Sequence, residues 1–82
     1  MTEMMLYRTS DLYFSSYLCA IDLRLETTEK DDKDGKRKVI FVFSVPKKDL
    51  DRLKAGYFGG SATVKANKLI QAIRSLKSMC YI

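Results

Sequence analysis

The stretch Ile21-Asp-Leu-Arg-Leu-Glu-Thr-Thr-Glu-Lys-Asp-Asp-Lys-Asp-Gly-Lys-Arg-Lys-Val-Ile-Phe-Val-Phe43 decides the fold. At its start Ile21, Leu23 and Leu25 alternate with Asp22, Arg24 and Glu26, the period of a half-buried strand with one wet face. At its end Val39-Ile-Phe-Val-Phe43 is β-branched and aromatic throughout, hence apolar on both faces. Residues 27–38 between them are highly charged and hold one strong turn signal, Asp34-Gly35. The two runs predict an antiparallel hairpin. A two-stranded hairpin is marginal in water, and a strand apolar on both faces needs two covers or more strands. Helices can supply the covers. A second copy of the chain can also do so, and a homodimer is therefore expected to complete the hairpin.

Helical signals lie on both sides. Thr9-Ser10-Asp11 offers three N-cap candidates ahead of Leu12-Tyr-Phe-Ser-Ser-Tyr-Leu-Cys19, where Tyr13/Tyr17 and Phe14/Leu18 are i,i+4 pairs on one broad face. Leu12, Ser15, Ser16 and Cys19 fall elsewhere on the helix, and Leu6 is placed to staple onto its first turn. After the hairpin, Ser44 and Pro46 end the strand and open a second helix with Asp49 and Asp51 near its positive end, Leu50 and Leu53 inside, and Gly56 as a stop. Tyr57-Phe-Gly-Gly-Ser-Ala62 reads as a tight loop. From about Val64 onward, Leu69, Ile73, Leu76 and Cys80 recur at helical spacing, with Ser61 or Thr63 as cap. The expectation is an α+β fold of order α-β-β-α-α, a hairpin packed with a long C-terminal helix, forming one small domain over residues 1–82.

Composition narrows the chemistry. The chain has 82 residues, 46% of them hydrophobic, enough for one packed core but little more. It contains no histidine, which removes imidazole base catalysis, Ser-His and Cys-His nucleophile pairs, and His-bearing zinc sites. No spacing of carboxylates, Lys or Tyr singles out a catalytic set, so no catalytic residue, metal or cofactor is assigned and a non-enzymatic role is expected. Aligning Gly35 with the invariant glycine of a calcium loop puts Lys30 and Phe41 at ligand positions, which excludes that site. The longest apolar run, Val39–Phe43, is far too short to span a membrane, and the N-terminus lacks the pattern of a secretory signal. With Cys19 and Cys80 far apart, both read as small buried hydrophobes in a reducing compartment, and the expected location is the cytoplasm.

Charge is the informative asymmetry. The whole net charge of +5 sits at the C-terminal end, because no acidic residue follows Asp51 while Arg52, Lys54, Lys65, Lys68, Arg74 and Lys77 do. Clustered, uncompensated cations are the electrostatic footprint of a polyanion partner. On the last helix the polar side holds Asn67, Gln71, Arg74, Ser75, Ser78 and Lys68, with Lys65 and Lys77 at its margins. Arg74 and Lys77 also suit a helix C-terminus, whereas Lys65 and Lys68 sit where the helix dipole disfavours them. Lys36-Arg37-Lys38 faces Glu29, Asp31, Asp32 and Asp34 across the turn, and so reads as a self-neutralised solvated arm. Tyr57-Phe58 before Gly59-Gly60 reads as an aromatic corner between helices.

Tyr7-x-Thr-Ser-Asp-Leu-Tyr13, Phe41-Val-Phe43, Tyr57-Phe-x-Gly60, and Ala72-Ile-Arg-Ser-Leu-Lys77 with Tyr81 together resemble a small domain family of bacteria, phages and mobile elements. The resemblance covers nearly the whole chain and implies no activity or catalytic residue, since the family has no assigned function. It implies a setting in which small basic proteins serve DNA transactions or engage host proteins.

The sequence therefore predicts a nucleic-acid-binding protein of a phage or mobile element. Lys65, Lys68, Arg74 and Lys77 would neutralise phosphates, Arg52 and Lys54 would extend the patch, and Asn67 and Gln71 would add polar contacts. The alternative is a protein-interaction module that docks on an acidic host or phage protein, with the cations steering the encounter.

Overall fold

The computed structural model describes residues 3–31 and 38–80. In chain order they form strand β1 (Met4–Thr9), helix α1 (Leu12–Ala20), strands β2 (Arg24–Asp31) and β3 (Lys38–Pro46), a 3₁₀ turn (Lys47–Asp49), and helices α2 (Leu50–Phe58) and α3 (Ala66–Cys80). The class is α+β, and the hairpin is present as the antiparallel pair β2·β3. Its Asp34-Gly35 turn and most of the basic triplet lie outside the described residues.

One strand was not anticipated. β1 pairs antiparallel with β3 from Met4↔Pro46 to Thr9↔Phe41, giving the sheet order β1-β3-β2. Leu6, expected as a staple, is a strand residue. The doubly apolar β3 is thus the central strand, and β1 meets within one chain the demand for a further strand. β3 also runs on through Ser44 to Pro46, and α2 runs past Gly56 to Phe58.

The helices gather on one face of this sheet. On β3, Phe41, Phe43 and Val45 are buried and join Phe14, Tyr17, Leu18, Leu50 and Leu76 in the core, with Met5, Tyr7, Leu23, Leu25 and Val39 packed against it. The alternate residues Met4, Leu6, Arg8, Ile40, Val42 and Ser44 face the other way, where Met4, Leu6 and Arg8 are exposed and Val42, on the central strand, is buried. In β2 the register shifts between Leu25 and Thr27, a bulge that carries Glu29 onto the open face. There Glu29 Oε1 accepts from Arg8 Nε at 2.8 Å, across the central strand.

α1 is fixed at both ends by its own sequence. Asp11 is the N-cap: its Oδ1 accepts from the Tyr13 and Phe14 N–H groups at 3.0 Å each, and Thr9 Oγ1 accepts from the Asp11 N–H. At the other end the Asp22 N–H donates to the Cys19 carbonyl and the Leu23 N–H to the Leu18 carbonyl, the Schellman pattern. That pattern needs a left-handed residue, and Asp22 supplies it at φ 67°. α2 ends in the same bond pattern, Gly60 to Tyr57 and Ser61 to Gly56, with Gly60 at φ 81°. A Cβ at the preceding Gly59 would lie 2.6 Å from the Ala55 carbonyl oxygen, so that corner excludes side chains on steric grounds too.

Burial on α1 differs from the i,i+4 reading. Tyr13 is 55% exposed, while Ser15 and Ser16 are fully buried beside Phe14, Tyr17, Leu18 and Ala20. The cause is a second neighbour. α1 is covered by the sheet and also by α3, and its small residues Cys19 and Ala20 share a groove with Ala72, Ser75 and Leu76 of that helix. Ser16 Oγ donates back to the Leu12 carbonyl at 2.8 Å, whereas the buried Ser15 hydroxyl has no partner among the described residues. Both cysteines are free; Cys19 is half-buried, its thiol pushed above the ordinary range by desolvation, and Cys80 is exposed.

Candidate nucleic-acid interface

α3 begins where the Lys65 carbonyl accepts the Leu69 N–H at 3.1 Å, so Lys65 stands at the cap position and Lys68 in the first turn. Among the described residues, the first turn itself holds no acid and no hydroxyl caps it. Instead Asn67 Oδ1 accepts the Lys68 N–H at 2.9 Å, which satisfies one of the free first-turn donors. Neither Ser61 nor Thr63 caps it; the Ser61 hydroxyl lies 3.5 Å from the Gly56 carbonyl of α2.

Of the fifteen residues of α3 only Leu76 is buried, with Leu69, Ala72 and Ile73 half-buried around it. At about 100° per residue, the rest of the circumference is free. Arg74 and Asn67 point away from the core, flanked by Gln71 and Ser78. Lys68 and Lys77 stand about 180° apart, one on each margin. Lys65, Arg74 and Lys77 are exposed and have no acidic partner among the described residues. Lys68 differs, because its Nζ lies 3.5 Å from Asp22 Oδ2. The two charges are each misplaced for their own helix, an acid at the C-terminus of α1 and a base at the N-terminus of α3, and they meet each other. The pair is exposed and so worth little in stability, but it accounts structurally for Lys68.

α2 contributes less to this surface. Arg52 reaches back to Asp49 at 3.2 Å, three residues away, and Lys54 Nζ lies 4.8 Å above the Tyr7 ring of β1. Being two apart on a helix, they point about 200° from one another. The structure therefore gathers Lys65, Asn67, Lys68, Gln71, Arg74 and Lys77 on the periphery of one helix and leaves Arg52 and Lys54 engaged elsewhere.

A second exposed feature is aromatic. Phe14 is the buried hub of a cluster in which the Tyr7, Tyr17, Tyr57 and Phe58 rings lie within 5.1–6.3 Å of it. Tyr57 and Phe58 belong to α2 rather than to a loop, and the Phe58 ring is 64% exposed. Desolvation, then the fields of Asp11 and Tyr13, push the Tyr57 phenol above its usual range, so it stays a neutral hydroxyl at physiological pH.

Among the described residues, no group of His, Cys, Asp or Glu could hold a metal ion, and no helix is long and apolar enough to cross a membrane. Sequence reasoning missed Asp22 as the counter-ion of Lys68, since 46 residues separate them and Asp22 sits in an apparent strand alternation. No curated protein and no solved structure matches the chain. A family model does match residues 4–82, almost the full length, and by that match the chain belongs to DUF5659, a domain of unknown function.

Proposed function

We propose that this is a non-enzymatic nucleic-acid-binding protein of a phage or mobile element, acting in the cytoplasm, and that it contacts phosphates through the outer surface of α3. One observation carries the reading: Lys65, Arg74 and Lys77 are exposed on or beside a helix that contains no acid, and nothing among the described residues neutralises them. Isolated cations on a surface are ordinary, but here Asn67 and Gln71 stand among the charges, with Ile70 an exposed apolar residue between Arg74 and Lys77 around the helix. Arg74 and Lys77 are neighbours on the outer side of the helix, Lys68 stands on the opposite margin, and Lys65 sits at the cap. Such an arrangement suits phosphate contact on more than one side and offers little for reading base edges.

Mobility-shift titration with single- and double-stranded oligonucleotides at two salt concentrations tests this. Binding through three free cations gives a log–log salt slope of about −3 for duplex DNA. Replacing Lys65, Arg74 and Lys77 by Gln abolishes the shift and leaves the circular dichroism spectrum unchanged. Absence of any shift at low salt removes the proposal.

A second reading has its own observation. The exposed Phe58 and Tyr13 rings beside Tyr57 form an aromatic surface of the kind enriched at protein interfaces. Under that reading the partner is an acidic host or phage protein steered by the same cations. Retention of Phe58→Ala on nucleic acid, with loss of a protein partner, separates the two.

A further inference from the structure

We infer that the edge of β1, unpaired among the described residues, pairs with the same edge of a second copy, joining two three-stranded sheets into one six-stranded sheet about a two-fold axis at Leu6. The inference is independent of what α3 binds.

The two edges of the sheet differ in kind. β2 exposes Arg24, Glu26 and Lys30 along its length and carries a bulge, both of which oppose pairing with another strand. β1, Met-Met-Leu-Tyr-Arg-Thr, has neither a bulge nor a proline, and its register with β3 is unbroken over all six residues. Its one charge, Arg8, is drawn inward across the sheet to Glu29 at 2.8 Å and so does not guard the edge. Met4 and Leu6 are 54% and 53% exposed there.

The backbone settles which groups point outward. The Lys47 N–H donates to the Glu3 carbonyl at 2.9 Å, continuing the β1·β3 ladder by one step. Alternation in an antiparallel ladder then places Met5, Tyr7 and Thr9 in the hydrogen-bonded pairs with β3. The N–H and C=O groups of Met4, Leu6 and Arg8 are turned outward. Pro46, opposite Met4 and beyond the last β2 partner, is consistent with this phase, since it needs no N–H acceptor there.

Those three outward residues are self-complementary. Antiparallel pairing of two copies centred on Leu6 sets Leu6 against Leu6 of the other copy, and Met4 against Arg8. Every outward donor and acceptor from Met4 to Arg8 is then satisfied. A shift of two residues either way leaves one of the three unpaired. The same register keeps even-numbered residues opposite even-numbered ones, so the open faces of both sheets lie on one side. Leu6 lies against Leu6 of the other copy. No like charges are opposed. A second copy therefore fits this edge at every position, and it is the occupant proposed.

The test is mass against concentration, by sedimentation equilibrium, for the wild type and Leu6→Lys. Position 6 faces away from the core, and an edge lysine is a standard block to strand addition. The wild type gives twice the 9.4 kDa chain mass and Leu6→Lys gives 9.4 kDa with an unchanged circular dichroism spectrum. Amide exchange adds a direct reading: the Met4, Leu6 and Arg8 N–H groups are protected in the wild type and exchange freely in the variant. If Leu6→Lys fails to fold, the wild-type amide pattern alone decides. A wild type at 9.4 kDa at all concentrations overturns the proposal, including the case where the edge takes an extended peptide instead. A dimer with these three amides unprotected overturns it as well.

Discussion

α1 and α3 lie against each other yet are held in opposite ways. The nine residues of α1 include six buried ones, wedged between the sheet and α3. The fifteen residues of α3 include one, Leu76. α1 is an interior element whose sequence answers to packing, down to the fully buried serines Ser15 and Ser16. α3 is a surface element anchored along a narrow seam, and most of its sequence is free of packing demands. In a domain this small that freedom is informative, because the core leaves few positions whose identity it does not set.

The sharpest way to break the contrast is Phe14→Ala. It removes the hub of four ring contacts and is expected to cost about 3–5 kcal/mol, comparable to the whole stability of a small domain. Urea denaturation should show the variant largely unfolded in water. Leu76→Ala comes next, at about 2–4 kcal/mol. Here the loss should be largest in α3: its amides lose exchange protection before those of β3, since Leu76 is the one buried residue that anchors this helix to the shared core. Asp11→Ala deletes the cap that accepts two α1 amides and should cost about 1 kcal/mol in the same denaturation assay. Ser15→Ala is the smallest and has the opposite sign. It removes a buried hydroxyl without a partner and raises helix propensity, so stability should rise by up to about 1 kcal/mol. A loss on Ser15→Ala would show that the interior of α1 carries a polar contact that packing does not require.

What was legible in the sequence follows from which residues answer to one constraint alone. The β3 run has a single local cause and is found where that cause puts it, and Asp11, one of three cap candidates, caps α1. Of the α3 stripe Leu76 is buried and Leu69 and Ile73 half-buried, but Cys80 is exposed. β1 was hidden because its outer face bears Met4 and Leu6, so no polar alternation marks the strand. The second half of β2, Thr-Thr-Glu-Lys-Asp31, was hidden for the converse reason, being polar on both faces of an edge strand beyond a bulge. Ser15 and Ser16 fell outside the i,i+4 face because small polar residues suit a wet surface and a tight contact alike, and only the second helix tells these apart. For the candidate site, the list of cations was legible but their allegiance was not. Lys68, Arg52 and Lys54 are engaged by Asp22, Asp49 and Tyr7, and only one of those contacts, Arg52 with Asp49, is close in sequence.

The contact of Asp22 with Lys68 bears on how any polyanion would be held. Asp22 occupies, beside α3, the place an incoming phosphate oxygen would take, and its backbone position in the α1 terminus keeps it there. A phosphate arriving at Lys68 exchanges one anion for another, so the lost ion pair with Asp22 offsets part of the new contact. Asp22→Gly frees the lysine while giving the left-handed turn the residue it most readily accepts. Asp22 would thereby act as an internal competitor, weakening attachment and shortening the lifetime of any complex formed on that flank of the helix.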